Sequence, residues 1–223
     1  MVRGPVPLAA RVALSFAFRF GCYAVMLWLV LWSEARPAPA LPDLVLGVVP
    51  YVAWVDGNNY LLWLFAYVPV GLWLLRANAE RFIRYMVSAG LLAVIRGLCI
   101  AATGLGPVHG ADVNAGLSSQ ARWTAFGQLV NPFNFFAPGA AAAKVYLTKD
   151  LFFSGHTGTT FLLLLYVWRY PTLRKLMLVG HVLVVASLFL AHLHYTIDVI
   201  GAYAITFSLF VLREGKVRKL LVG

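Results

Sequence analysis

Charged residues are scarce in this chain. They make up 12% of its 223 residues, whereas 61% are hydrophobic, and the mean hydropathy is +0.81. A soluble domain of this length could not bury so much apolar surface, so the composition excludes an ordinary soluble protein. It predicts an integral membrane protein.

Cysteine is rarer still. Cys22 and Cys99 are the only two, both fall inside predicted helices, and neither belongs to a metal-binding pattern. The sequence therefore predicts no disulfide framework, and we expect neither a metal nor an organic cofactor.

Long apolar runs are the main feature that is present. A membrane core roughly 30 Å thick needs about 20 apolar residues per helical crossing, and six runs come close to that length. They predict an all-α integral membrane protein with six transmembrane helices in a single catalytic domain covering residues 1–223. The first run is too long for a signal peptide and is expected to be retained. The predicted helices are 12–32, 58–75, 82–104, 151–168, 174–192 and 195–212.

The net charge of +10 invites a nucleic-acid interpretation. Its distribution argues against one, because most basic residues fall on one side of a six-helix topology, and the other side holds few. Under the positive-inside rule both termini are cytoplasmic, and no nucleic acid is expected. The basic residues on the cytoplasmic side are Arg3, Arg11, Arg76, Arg81, Arg84, Arg169, Arg174, Lys175, Arg213, Lys216, Arg218 and Lys219.

Three ionisable residues from distant parts of the chain meet on the other, exoplasmic face of this topology. His156 starts the fourth predicted helix, His194 lies near the end of the fifth, and Asp198 begins the sixth. If residues 194–198 are helical, His194 and Asp198 stack on one face and can form an imidazole–carboxylate hydrogen bond. Such a bond fixes the tautomer and leaves the other ring nitrogen free as a nucleophile.

This group has the components of phosphoryl transfer through a phosphohistidine. His156 can serve as the general acid, and Ser154 and Gly155 suit a helix N-terminus that binds phosphate. Zinc bound by His192, His194 and Asp198 is disfavoured, because residues two apart on a helix point in different directions. Transport through a polar path is a further alternative, but charges deep in the helices are few.

Three more charged residues are candidates for substrate binding. Arg96 lies about two turns inside the third helix and needs a partner, either a lipid phosphate or Asp198 and its neighbours. Lys149 and Asp150 precede the fourth helix and either contact a zwitterionic head group or anchor the helix end.

Four segments resemble the sphingomyelin synthase family, within the type 2 phosphatidate phosphatase superfamily. "SGHT" at 154–157 and "HYTIDV" at 194–199 are similar to its catalytic motifs. "PALPD" at 39–43 and "IRGLCIAATGLGP" at 95–107 resemble two upstream elements in the same order.

The resemblance implies a lipid phosphotransferase with a type 2 phosphatidate phosphatase-like helical core. Such an enzyme moves a phospho-head-group from a glycerophospholipid to ceramide and releases diacylglycerol. Carried over to this chain, His194 attacks phosphorus, Asp198 orients it and His156 protonates the leaving oxygen. We also count Tyr195, in the "HYTIDV" segment, among the substrate-binding residues.

The sequence departs from the family where "CGD" commonly stands, having Thr148, Lys149 and Asp150 instead. Phosphocholine and phosphoethanolamine lead among the head groups left open.

The rival enzymes are a phospholipase C and a lipid phosphate phosphatase. The phosphatases usually carry "KxxxxxxRP" and an arginine upstream of the second histidine, which this chain lacks. The expected partners are membrane lipids: a glycerophospholipid donor, with ceramide or diacylglycerol as acceptor. A homo-oligomer is left open.

Overall fold

The computed structural model describes residues 6–131 and 145–215. Within these ranges the chain forms seven helices and no strand. Their bounds, in chain order, are α1 Leu8–Glu34, α2 Ala53–Ala77, α3 Ala79–Ala102, α4 Ser119–Val130, α5 Gly155–Val167, α6 Pro171–Leu190 and α7 Thr196–Glu214. Each of the six predicted helices overlaps one of these, and α4 is an additional short helix.

Among the described residues, five helices are long and apolar enough to cross a membrane: α1, α2, α3, α6 and α7. The fourth predicted span is shorter than expected, because α5 has 13 residues and is about 20 Å long at 1.5 Å per residue. Its residues from Leu162 to Val167 are all buried. The run of leucines in this predicted span therefore forms the centre of the bundle.

The other helices pack around this core. α5 is surrounded by α2, α3, α6 and α7, while α1 lies along the outside of α3. Gly97 permits this close packing, since a Cβ there would lie 2.9 Å from the Met26 Cα of α1. α1 therefore belongs to the bundle although it does not contact α5 closely.

The connections place polar residues at one end of the bundle. Segments 35–52, 103–118, 145–154 and 191–195 hydrogen-bond to one another there, for example through Gly106 N to Pro39 O at 2.8 Å and Lys149 Nζ to Arg36 O at 2.8 Å. We call this the site end. The opposite end has the short turns after α2 and α5 and the ion pair between Arg84 and Glu214.

Candidate active site

His194 and Asp198 meet at the start of α7. Tyr195 is the N-cap residue, so His194 lies before the helix and Asp198 lies in its first turn. The His194 Nδ1 is 3.3 Å from the Asp198 Oδ2, which also accepts a 2.9 Å hydrogen bond from the Tyr195 N–H. Both side chains are buried. The expected contact is present. It joins a residue that precedes α7 to a residue in the first turn of α7, so the two side chains do not stack on one face of a helix.

The turn before α7 explains why residues 191–194 are not helical. α6 ends at Leu190, and His192 adopts a left-handed conformation with φ of 49°. Its Nε2 is 2.9 Å from the Val49 carbonyl oxygen, so His192 anchors this turn to the segment before α2. His192 was predicted at the end of a helix, and that position is wrong.

The second histidine comes from α5. Ser154 is the N-cap of this helix, and its Oγ accepts a hydrogen bond from Thr157 N at 3.3 Å. The Ser154 N–H donates to the Asp198 carbonyl oxygen at 3.0 Å, which joins the start of α5 to the first turn of α7. As a result, the ring centroids of His156 and His194 are 6.3 Å apart.

Arg96 has a different partner from the one the sequence suggested. Its Nη1 donates to the Asp150 Oδ1 at 2.6 Å, its Nη2 to the Asp150 carbonyl at 2.9 Å and its Nε to the Phe153 carbonyl at 2.6 Å. A Cβ on Gly155 would lie 3.0 Å from the Arg96 Nε, so glycine leaves room for this guanidinium. Asp150, not Asp198, neutralises Arg96, and the guanidinium is held by two oxygens of Asp150 and one of Phe153.

Lys149 lies away from the two histidines. Its Nζ is 2.6 Å from the Asp112 Oδ1 and 2.8 Å from the Arg36 carbonyl oxygen, and its side chain is 1% exposed. Two of the three N–H donors of this ammonium are used in these contacts, and the side chain is too deeply buried to reach a head group. The anchoring role, which the sequence left as an alternative, fits this position.

Tyr195 also holds the structure together. Its hydroxyl accepts from Leu41 N at 3.0 Å and lies within hydrogen-bond distance of the Gly106 and Pro107 carbonyl oxygens. The buried ring thereby connects the "PALPD" segment, the end of α3 and the start of α7. Its assignment to substrate binding does not fit this geometry, because the hydroxyl is already occupied.

Three residues near the site carry little signal in the sequence: Trp63, His181 and Thr160. Trp63 of α2 packs its ring edgewise against His156, with centroids 5.6 Å apart, and a single tryptophan in an apolar run carries no such signal. His181 of α6 lies 2.8 Å from Thr160 Oγ1 and 2.7 Å from the Tyr203 hydroxyl. Thr160 in turn donates to the His156 carbonyl at 2.7 Å, so His181 supports the helix turn that carries His156.

Asp43 of the "PALPD" segment binds the other side of the α7 start. Its carboxylate accepts from Thr196 N at 2.6 Å and from Thr196 Oγ1 at 2.9 Å. Partial burial acts to raise the pKa of Asp43, but hydrogen bonds from Thr196 and from two backbone N–H groups of its own turn outweigh it and hold the pKa below its ordinary value. The resemblance to a family element was the one sequence signal for this residue.

The described ranges contain no cluster of three or more histidine, cysteine, aspartate or glutamate side chains suited to a metal ion. The groups gathered at the site are therefore two imidazoles, the Asp198 carboxylate and the first N–H groups of α5, which have no partner within the helix. They can provide a nucleophile, a proton donor and hydrogen bonds to an anion.

Residues 149–214 match the model of the PAP2 superfamily C-terminal family. This match supports a relationship between this chain and the PAP2 superfamily. The matched segment covers α5 to α7 and includes His156, His194 and Asp198. PAP2 superfamily domains carry out lipid chemistry of the phosphatase or phosphotransferase type. A search of curated proteins found no match to the chain.

Proposed function

We propose that this protein is a lipid phosphotransferase that moves a phospho-head-group from a glycerophospholipid to ceramide through a phosphohistidine. The single observation that carries the proposal is the pairing of His194 with Asp198 at 3.3 Å, opposite His156. A hydrogen bond from Nδ1–H to Asp198 leaves the lone pair of Nε2 available for attack.

In the first step, His194 Nε2 attacks phosphorus and the bond from phosphorus to the diacylglycerol oxygen breaks. Protonated His156 donates its proton to that oxygen, and diacylglycerol leaves. A reacting nitrogen sits about 3–3.5 Å from phosphorus, and a general acid needs a reach of about 2.6–3.2 Å. The 6.3 Å between the two ring centroids suits one phosphoryl group between them.

In the second step, neutral His156 takes the proton of the ceramide primary hydroxyl. The hydroxyl oxygen forms a bond to phosphorus, the phosphorus–nitrogen bond breaks and both histidines return to their starting forms. Asp198 stabilises the positive charge on His194 in both steps. The N–H groups of Gly155 and His156 at the start of α5 serve the non-bridging oxygens.

The charges around the site favour a diester over a monoester. Arg96 is balanced by Asp150 and Lys149 by Asp112, so little net positive charge is left for a dianionic phosphate. A singly charged diester requires fewer cationic donors. The Asp150 side chain is 24% exposed beside Arg96, which suits the ammonium of a phosphocholine or phosphoethanolamine head group.

We further propose that α5 and its flanking residues form a sixth crossing, with both termini cytoplasmic. The site end of the bundle is then exoplasmic, and the concentration of basic residues at the opposite end supports this orientation. The donor and acceptor acyl chains stay in the leaflet beside the site.

A hydrolase using the same residues is the second candidate. The family match favours it, because PAP2 superfamily chemistry includes phosphatases. In that case water takes the place of ceramide in the second step, and the enzyme is a phospholipase C or a lipid phosphate phosphatase.

The test is incubation of the purified protein in liposomes containing labelled ceramide, labelled diacylglycerol and a panel of phospholipid donors, followed by mass spectrometry. A new phosphosphingolipid formed together with diacylglycerol supports the transferase and identifies its head group. Diacylglycerol with a water-soluble phosphoester indicates a phospholipase C, and inorganic phosphate from phosphatidate indicates a phosphatase. His194→Ala is the inactive control for every product.

A further inference from the structure

Residues 41–52, which we call the strap, expose apolar side chains at the site end. Residues 44–48 form a single helical turn, closed by Gly47 N to Asp43 O at 3.0 Å and Val49 N to Val45 O at 3.0 Å. Leu44 is 93% exposed and Val48 is 82% exposed. Because they are four residues apart on this turn, they share one face.

After Asp43, the strap has no charged side chain to compensate for this exposure. From residue 44 to residue 55 the sequence contains no charged side chain. The acid that precedes this stretch, Asp43, turns inward to Thr196. The exposed face is therefore apolar throughout, and such a face is stabilised when it leaves water.

The surface next to the strap is already that of a membrane-spanning helix. The strap leads directly into α2, whose first turn carries Trp54 at 70% exposed, followed by the exposed Leu61 and Phe65 further along. α2 is one of the five helices suited to cross a membrane. The lipid-facing surface of α2 and the apolar face of the strap are thus continuous in the chain.

The strap is also bonded to the segment that carries His194, at four of its residues. Leu41 N donates to the Tyr195 hydroxyl at 3.0 Å, and Val52 N donates to the Leu190 carbonyl at 2.7 Å. Between them, the Asp43 carboxylate binds Thr196, and the Val49 carbonyl is 2.9 Å from His192 Nε2. A displacement of the strap is therefore transmitted to both sides of His194.

We propose that the strap docks into the lipid surface at the site end, with Leu44 and Val48 in the boundary between head groups and acyl chains, and that this docking positions the His194 turn. The partner is the bilayer leaflet from which substrate is drawn. Its effect on catalysis rests on the function proposed above, whereas the docking itself does not. Apolar side chains on a short helical surface insert into this boundary in the same way.

Docking is tested on the full chain in vesicles of phosphatidylcholine and phosphatidylethanolamine. In a Cys22→Ser/Cys99→Ser background, Leu44→Cys, Val48→Cys and Val113→Cys are each labelled with an environment-sensitive fluorophore. Val113 is a matched control, since it is 70% exposed and lies in segment 103–118 at the same end. We expect phosphatidylcholine with a nitroxide near the top of one acyl chain to quench positions 44 and 48 strongly and position 113 weakly. Quenching of 44 and 48 by aqueous iodide alone overturns the docking.

The effect on catalysis is tested with Leu44→Glu/Val48→Glu, using Val113→Glu as control, and with diacylglycerol release as the measured product. We expect release from long-chain donor in vesicles to fall about tenfold, as for a small displacement of a catalytic group. Release from a short-chain donor added as monomers to the same vesicles should fall to a similar extent, because the position of His194 matters for either donor. A loss confined to the long-chain donor, or no loss on either, overturns the coupling of the strap to His194. If the wild type releases no diacylglycerol at all, the proposed function is wrong. The docking of the strap is then tested by the quenching experiment alone.

Discussion

Two groups of ionisable residues lie at the site end, and they differ in how their charges are used. In the 149–150 region, each charge is matched: Arg96 by Asp150 and Lys149 by Asp112, at 2.6 Å in both pairs. In the α5–α7 region, His194 is bonded to Asp198 through one nitrogen, and His156 faces it at a centroid distance of 6.3 Å. The two cations of the first group are neutralised within the protein, and its partly exposed Asp150 is the member that we propose for a head-group contact. The second group keeps nitrogen atoms for chemistry.

The comparison teaches that the residue type does not separate a catalytic group from a structural one in this chain. Lys149, Asp150 and His156 lie within eight positions of one another and all belong to the segment that matches the PAP2 family model. Their partners in space distinguish them. Substitutions in the α5–α7 region should therefore reduce activity more than stability. Substitutions in the 149–150 region should reduce stability more than activity.

The largest expected effect is on activity in the α5–α7 region. His194→Ala removes the proposed nucleophile, and Asp198→Asn removes the negative charge that fixes its tautomer and stabilises the charged ring. We expect the initial rate of diacylglycerol release to fall on the order of 10³-fold or more in each variant. Thermal unfolding should show that both variants remain folded. A variant of either residue with full activity would contradict the assignment.

The next effect is on stability in the 149–150 region. Arg96→Met leaves the Asp150 carboxylate without its partner, and Asp150→Asn leaves a buried guanidinium poorly compensated. Loss of one partner of a buried ion pair costs about 3–5 kcal/mol, and we expect the lower end because Asp150 retains access to solvent. The measurement is the free energy of unfolding in detergent.

A double-mutant cycle isolates this ion pair. Arg96→Met/Asp150→Leu should be less destabilised than the sum of the single variants, since neither charge is then left alone. Strict additivity would show that the contact at 2.6 Å contributes no coupling.

Lys149→Met sharpens the contrast between structure and catalysis. Removing the ammonium leaves Asp112 unpaired, but that carboxylate is partly exposed, so we expect a loss of about 2 kcal/mol in unfolding free energy. The KM and kcat of the folded fraction should change less than threefold, because the buried Lys149 ammonium is bound to Asp112 and the Arg36 carbonyl. A raised KM with unchanged stability would instead return Lys149 to the substrate-binding residues.

The smallest effect concerns Asp43, which supports the α7 start from the strap. Its pKa is lower in the folded protein than in the unfolded chain, so its contribution to stability is present above the unfolded pKa of about 3.9. That contribution is lost as the pH falls through the lower folded value. Wild type should therefore unfold at a higher temperature than Asp43→Asn at pH 7, and the difference should shrink below pH 4. A difference that is constant with pH would mean that the carboxylate charge plays no part.

The sequence predicted the helical elements well because their signal is local. A helix that crosses a membrane needs a continuous apolar run, and five such helices appear where the runs lie. The run at 151–168 predicted a helix of full membrane-spanning length, whereas α5 has 13 residues and packs inside the bundle, since an apolar run is the same whether lipid or other helices cover it. The sequence predicts helix up to residue 192 and again from residue 195, because nothing in the local pattern shows that His192 takes a left-handed conformation.

The sequence by itself determined that the chain is helical and apolar and which histidines and aspartate could form a site, because motif spacing and hydropathy are properties of neighbouring residues. Only the tertiary structure decided the partners of each charge: Asp150 for Arg96, Asp112 for Lys149 and Asp43 for the Thr196 backbone. These contacts join residues from 37 to 153 positions apart. Pairings at such distances depend on how helices pack and where their connecting segments meet, which local sequence does not encode.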